Sequence, residues 1–97
     1  MKLLWHELAE AEHDEAVDYY LDHAGPVIAR KFATAVNKAL AMLKAQPGIG
    51  METYRHARRI PLHGFPFNLV YRLQTDRIVV IAIANQSRRP GYWRRRH

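Results

Sequence analysis

Ninety-seven residues are expected to form one domain, residues 1–97, with room for a single modest core and not for two. A composition of 48% hydrophobic and 25% charged residues excludes disorder, and the absence of cysteine excludes disulfides, thiolate metal sites and a cysteine nucleophile. Net charge is +6 and unevenly spread: seven of the nine acids fall in the first 26 positions, whereas from Val27 onward fourteen Lys or Arg face only Glu52 and Asp76.

A one-sided surplus of that size draws nucleic acid or an acidic partner, since solubility alone needs only scattered charge. No apolar run approaches the roughly 20 residues of a membrane span. Trp5 and His6, followed at once by acids, do not read as a signal peptide, so a cytoplasmic location is expected.

Lys2–His6 is short, apolar and bounded by polar residues, as a first strand would be. Glu7–His23 reads as a helix whose acids cluster in its first half, near the positive end of the dipole. Leu8, Ala11, Ala16, Tyr19 and Tyr20 broadly follow helical spacing; Glu12 alone interrupts the stripe. The acidic run is therefore expected to be a solvated helix face, with Tyr19 and Tyr20 as core and rim. Gly25-Pro26 ends this helix and starts the next. Over Val27–Ala45, Ile28, Phe32, Ala35, Val36, Ala39, Leu40 and Leu43 make one continuous apolar stripe. The short link predicts an antiparallel helical hairpin that covers one face of a sheet. Gln46-Pro47-Gly48-Ile49-Gly50 breaks the second helix.

Alternation predicts a strand over Ala57–Leu62, at an edge because Pro61 cannot donate to a ladder, with Arg59 and His63 on its polar side. Phe65, Phe67, Leu69, Tyr71 and Leu73 then alternate with Pro66, Asn68, Val70, Arg72 and Gln74, a strand with one buried face. Ile78–Ala84 is continuously apolar and rich in β-branched residues, as a strand covered on both faces should be. The expected class is α+β, order β-α-α-β-β-β, with a small, mainly antiparallel sheet and the helical hairpin on one face. The last strand delivers five arginines, Tyr92 and Trp93 to one end of the sheet, and Arg94–His97 is expected to fray.

Trp5, Ala9, Tyr19-Tyr20, Phe32, Val36, Leu43, Pro47-Gly48, Leu62, Phe65-Pro66-Phe67, Val70-Tyr71, Ile78–Ala84 and Arg88-Arg89-Pro90-Gly91-Tyr92-Trp93 occur in this order over nearly the whole chain. Together they resemble the ParE/RelE superfamily of toxins from type II toxin–antitoxin modules, and within it the ParE-like plasmid-stabilisation branch. The resemblance implies a bacterial growth inhibitor neutralised by a cognate antitoxin. It also implies DNA gyrase as the target, poisoned without chemistry of the toxin's own; the alternative is RelE-like, ribosome-dependent cleavage of mRNA. Asn85 stands where ParE-like sequences often carry a histidine.

A nuclease must deprotonate a 2′-hydroxyl, stabilise a charged phosphorane and protonate a leaving oxygen. RelE-like enzymes use strand-borne lysines and arginines with a C-terminal tyrosine, so the resemblance implies Arg59, Arg72, Arg88, Arg89 and Tyr92 as the candidates here. Arginine clamps phosphate well but is a poor base because it stays protonated. The six histidines lie on different elements with no ligand spacing, so no metal and no cofactor is expected. A plain basic nucleic-acid-binding module is a further alternative. Arg88, Arg89, Tyr92 and Trp93 are the expected target-binding residues, presented by the Pro90-Gly91 turn; the competing reading has Trp93 folding back to close the core.

Overall fold

The computed structural model describes all 97 residues. Strand β1 (Lys2–Trp5) leads into helix α1 (Glu7–Ala24) and helix α2 (Pro26–Ala45); β2 (Met51–Glu52), a 3₁₀ turn (Tyr54–His56), β3 (Arg58–Pro61), β4 (Phe67–Leu73) and β5 (Arg77–Asn85) follow. The strands make one sheet in the order β1-β5-β4-β3-β2, antiparallel except for the parallel β1–β5 pair. No helix is long and apolar enough to cross a membrane.

His6 is not the end of the first strand but the cap of α1: its Nδ1 accepts from the Leu8 N–H at 3.1 Å, satisfying one of the donors a helix leaves open at its start. Pro26 occupies the first turn of α2, where its missing N–H has no cost. The two helices lie on one face of the sheet. There Phe32, Val36 and Leu43 meet Ile60, Leu62, Leu69, Tyr71, Ile78 and Val80. Phe32 sits edge-on to Phe65 and Phe67 at 5.2 and 5.4 Å between ring centres, a favoured arrangement for aromatic quadrupoles.

Two strand expectations need correction. The β3 strand is not the edge, because Met51 and Glu52 pair with Arg59 and Arg58 beyond it; Pro61 lies past that short pairing, so its lack of an N–H leaves no ladder bond unmade on that side. Val70, assigned by alternation to a solvated face, is 1% exposed. The second face of the sheet is covered too: Val70, Val79, Ile81, Ala82 and Ala84 form a smaller core closed by Ala57 and Trp93. A bulge shapes this core. Val70 pairs with Ala82 but Tyr71 pairs with Val80, so Ile81 is an extra residue in β5 and lies with Ala82 on the second face.

Candidate functional site

The C-terminal turn beyond β5 is folded back over the second face and is not frayed, contrary to the expectation for Arg94–His97. Two long-range clamps hold it. Arg72, on the second face of β4, directs Nε to the Arg96 carbonyl (2.9 Å), Nη2 to the Arg94 carbonyl (2.8 Å) and Nη1 to the Arg55 carbonyl (2.6 Å). Burial, and then the charge of Arg55, pulls its guanidinium below the usual arginine range without removing its charge.

Glu12 is the second clamp. The other six acids of α1 are exposed as a helical solvent face should be, but the Glu12 side chain is only 12% exposed and points under the C-terminal turn. Its carboxylate accepts from Tyr92 Oη (2.6 Å), from Arg96 Nη1 and Nη2 (2.8 and 3.1 Å), from the Ile83 N–H (3.1 Å) and more distantly from Arg88 Nη1 (3.4 Å). The backbone bond has a clear cause. The β1–β5 ladder ends where His6 N–H donates to the Val80 carbonyl, which leaves β5 open on that side. Glu12 takes the Ile83 N–H and Arg96 Nη1 donates to the Ile81 carbonyl (3.0 Å), so an ion pair continues the ladder. Burial, and then the hydrogen bond to Glu12, pushes the Tyr92 hydroxyl well above the usual tyrosine range.

On the second face this arrangement leaves a cleft of about 280 Å³, lined by Arg59, Arg88, Arg89, Tyr92 and Trp93 together with Tyr54. Five of the six sequence-derived candidates thus share one surface feature, and Arg72 does not. Arg89 is exposed with no side-chain partner, and Arg59 has only a 3.3 Å contact to Met51 Sδ. Arg88 lies over the Tyr92 ring, its guanidinium carbon 3.6 Å from the ring centre. Trp93 is 5% exposed and fills the second core, edge-on to Tyr54 at 6.3 Å, so the cleft has its ring as a packed wall rather than a free contact. Asn85 starts the turn that carries the arginines: its Oδ1 accepts from the Ser87 N–H and Oγ, and its carbonyl from the Arg88 N–H.

Glu12 and Tyr54 were missed by sequence reasoning. The one signal for Glu12 was an acid set into an apolar stripe. Tyr54 is held by features that have no local pattern. Arg55 and His56, both with positive φ, turn it toward Gly91, whose own φ is +73° and where a Cβ would sit 3.0 Å from the Tyr54 ring.

On the other side of the same corner, α1 and the ends of β4 and β5 border a groove of about 530 Å³ with Tyr19, Tyr20, Phe67 and Ile83 in its walls; Arg88 and Asn85 border groove and cleft alike.

The family model for the ParE toxin of the type II toxin–antitoxin system parDE matches residues 3–90. The chain belongs to the ParE toxin family. Among solved structures, a chain of the chromosomal ParDE toxin–antitoxin system from P. aeruginosa is similar at 26% identity with a TM-score of 0.76, covering 88% of this chain and 95% of that one. A search of curated proteins gives no match. In this ParE-family toxin the family match ends at Pro90, so Tyr92 and Arg96, which complete the Glu12 clamp, lie beyond it.

Proposed function

We propose that this ParE-family toxin arrests bacterial growth by poisoning DNA gyrase as a binder without chemistry of its own. The observation that supports it is the state of the groups a nuclease would need. All three donor nitrogens of Arg72 are engaged by main-chain carbonyls, the Tyr92 hydroxyl donates to Glu12, and neither lysine nor histidine lines the cleft. A tyrosine raised above its usual range is a poor base at neutral pH, and arginine is a worse one. What remains is a basic surface of Arg59, Arg88 and Arg89, suited to recognition through bidentate hydrogen bonds and stacking.

A cognate antitoxin is the second partner proposed, as in the P. aeruginosa ParDE system. The groove beside α1 has Tyr19, Tyr20, Phe67 and Ile83 in its walls with Glu12, Glu15 and Arg88 along its border, which fits a segment that is disordered alone and folds with an apolar face inward. A cytoplasmic site of action follows from that target.

The test is purified gyrase with supercoiled plasmid: the toxin is expected to accumulate cleaved DNA complexes, and cells induced for it to mount a DNA-damage response. Codon-phased mRNA cuts with rapid loss of translation, and intact gyrase cycling, would overturn the proposal in favour of the ribosome. Co-expression with the neighbouring antitoxin frame is expected to restore growth and to yield a copurifying complex.

A further inference from the structure

We infer that the cleft on the second face binds a nucleotide unit of single-stranded nucleic acid, its phosphate between Arg59 and Arg89 and its base against Tyr54. The inference rests on the reading that this end of the molecule engages the target, and adds that the target's nucleic-acid strand, not only its protein surface, is gripped.

Three independent observations converge. The first is charge: of the fourteen residues lining the cleft three are arginines and none is acidic, although the chain carries nine acids. Glu12 neutralises part of the Arg88 and Arg96 charge from the α1 side, yet Arg59 and Arg89 keep guanidinium edges that no carboxylate in the molecule meets. Planar forks of this kind match the oxygens of a phosphodiester.

The second is an aromatic surface. Tyr54 is 51% exposed, yet fixed from behind by the Trp93 edge and by Gly91. An exposed ring packed on one side and flanked by arginines is the arrangement by which sequence-tolerant proteins stack unpaired bases. The amides of Asn68 and Gln86, joined by a 3.2 Å hydrogen bond from Gln86 Nε2 to Asn68 Oδ1, retain a free Asn68 N–H₂ and Gln86 carbonyl on the same wall for a base edge.

The third is backbone strain. Arg55 (φ 52°) and His56 (φ 61°) are consecutive non-glycine residues in the left-handed region, and the Arg72 bond to the Arg55 carbonyl holds them there. Such conformations persist where the surroundings over-determine them, and cluster at ligand-binding turns. Here their effect is to set the Tyr54 ring at the cleft mouth. A volume near 280 Å³ accommodates one nucleotide and not a duplex.

The experiment is fluorescence anisotropy of short oligodeoxynucleotides and oligoribonucleotides, single- and double-stranded, with the purified toxin in the absence of gyrase. Single strands are expected to bind more tightly than the duplex of the same sequence; a preference for deoxy- or ribo-strands identifies which strand is the natural ligand. Arg59→Ala with Arg89→Ala is expected to lower the slope of log K against log salt by about 0.7, the value for the one phosphate the two arginines share on a single strand. Tyr54→Phe should retain affinity, whereas Tyr54→Leu, which keeps the bulk against Trp93, should weaken it about tenfold, as lost base stacking does. Lys31→Ala with Lys38→Ala on α2 should leave the affinity within about twofold. Equal affinity for duplex and single strand, or equal loss from the α2 variant, shows attraction by net charge alone and overturns the inference. Gyrase poisoning that persists without any strand binding does the same while leaving the proposed target standing; strand binding without poisoning refutes the target and not the cleft.

Discussion

Replacing Glu12 with alanine is expected to unlatch the C-terminal turn. The change orphans the Tyr92 hydroxyl and the Ile83 N–H beneath α1, and leaves Arg96, whose side chain is 15% exposed, with the Ile81 carbonyl as its one remaining acceptor. Removing one partner of a shielded ion pair costs about 3–5 kcal/mol, because the surviving charge and donors stay desolvated. For a chain of this size 1 kcal/mol moves the melting temperature by about 4–8 °C, which gives a fall of roughly 12–40 °C. Glu15→Ala, one turn further along the same helix and exposed without a hydrogen-bond partner, is the control and should lie within about 0.5 kcal/mol of the parent. Glu12→Gln keeps the volume and one acceptor oxygen, so it should fall between the two. Calorimetry gives the melting temperatures, and limited trypsin digestion followed by mass spectrometry reads the latch itself: cleavage after Arg94, Arg95 and Arg96 should accelerate in Glu12→Ala ahead of cleavage elsewhere. A Glu12→Ala protein that melts with the Glu15→Ala control, or whose tail is cut no faster than the parent's, would refute the assignment of Glu12 as the clamp.

Arg72→Ala should cost about 3 kcal/mol, from three charge-assisted bonds and partial burial, in chemical denaturation; Arg72→Lys should recover little, because a point charge cannot span three carbonyls. Trp93→Ala should cost about 3–5 kcal/mol through the cavity it opens in the second core. Arg88→Ala with Arg89→Ala should change stability by no more than about 1 kcal/mol and yet abolish growth arrest at equal expression; surviving toxicity would move the active surface to the α1 groove. The raised Tyr92 hydroxyl fixes a pH dependence. The unfolded tyrosine loses its proton near pH 10 while the folded one retains it, so its contribution is complete below pH 10 and falls by about 1.4 kcal/mol per pH unit above it, until the folded group titrates. Subtracting the Tyr92→Phe stability curve from that of the parent between pH 8 and 11 should isolate this slope, and a flat difference would contradict it.

Periodicity made the elements legible. The helical stripe from Ile28 to Leu43 and the alternation from Phe67 to Tyr71 are local patterns imposed by 3.6 and 2 residues per repeat, and the structure has a helix and a strand at both. The Pro-Gly-Ile-Gly break, the Gly25-Pro26 link and the continuous apolar run of β5 are local signals too, and these brought the topology and the family resemblance within reach. Arg59, Arg88, Arg89 and Tyr92 could be named as candidates from residue type and from the direction in which β5 runs out.

What residue type could not convey was which of them were free. Arg72 and Arg88 look alike in a sequence, but one is held by carbonyls 17 to 24 positions away and the other stacks on Tyr92. Glu12 looks like a flaw in an apolar stripe because its partners stand 71 to 84 residues further on. Composition and local period determined the helices, the strands and the basic end of this chain. Only tertiary structure decided that β1 stops short of Ile81, and that open backbone is the reason a buried acid and the last arginines close the ladder, order the tail and leave Arg59 and Arg89 as the unpaired charges of the cleft.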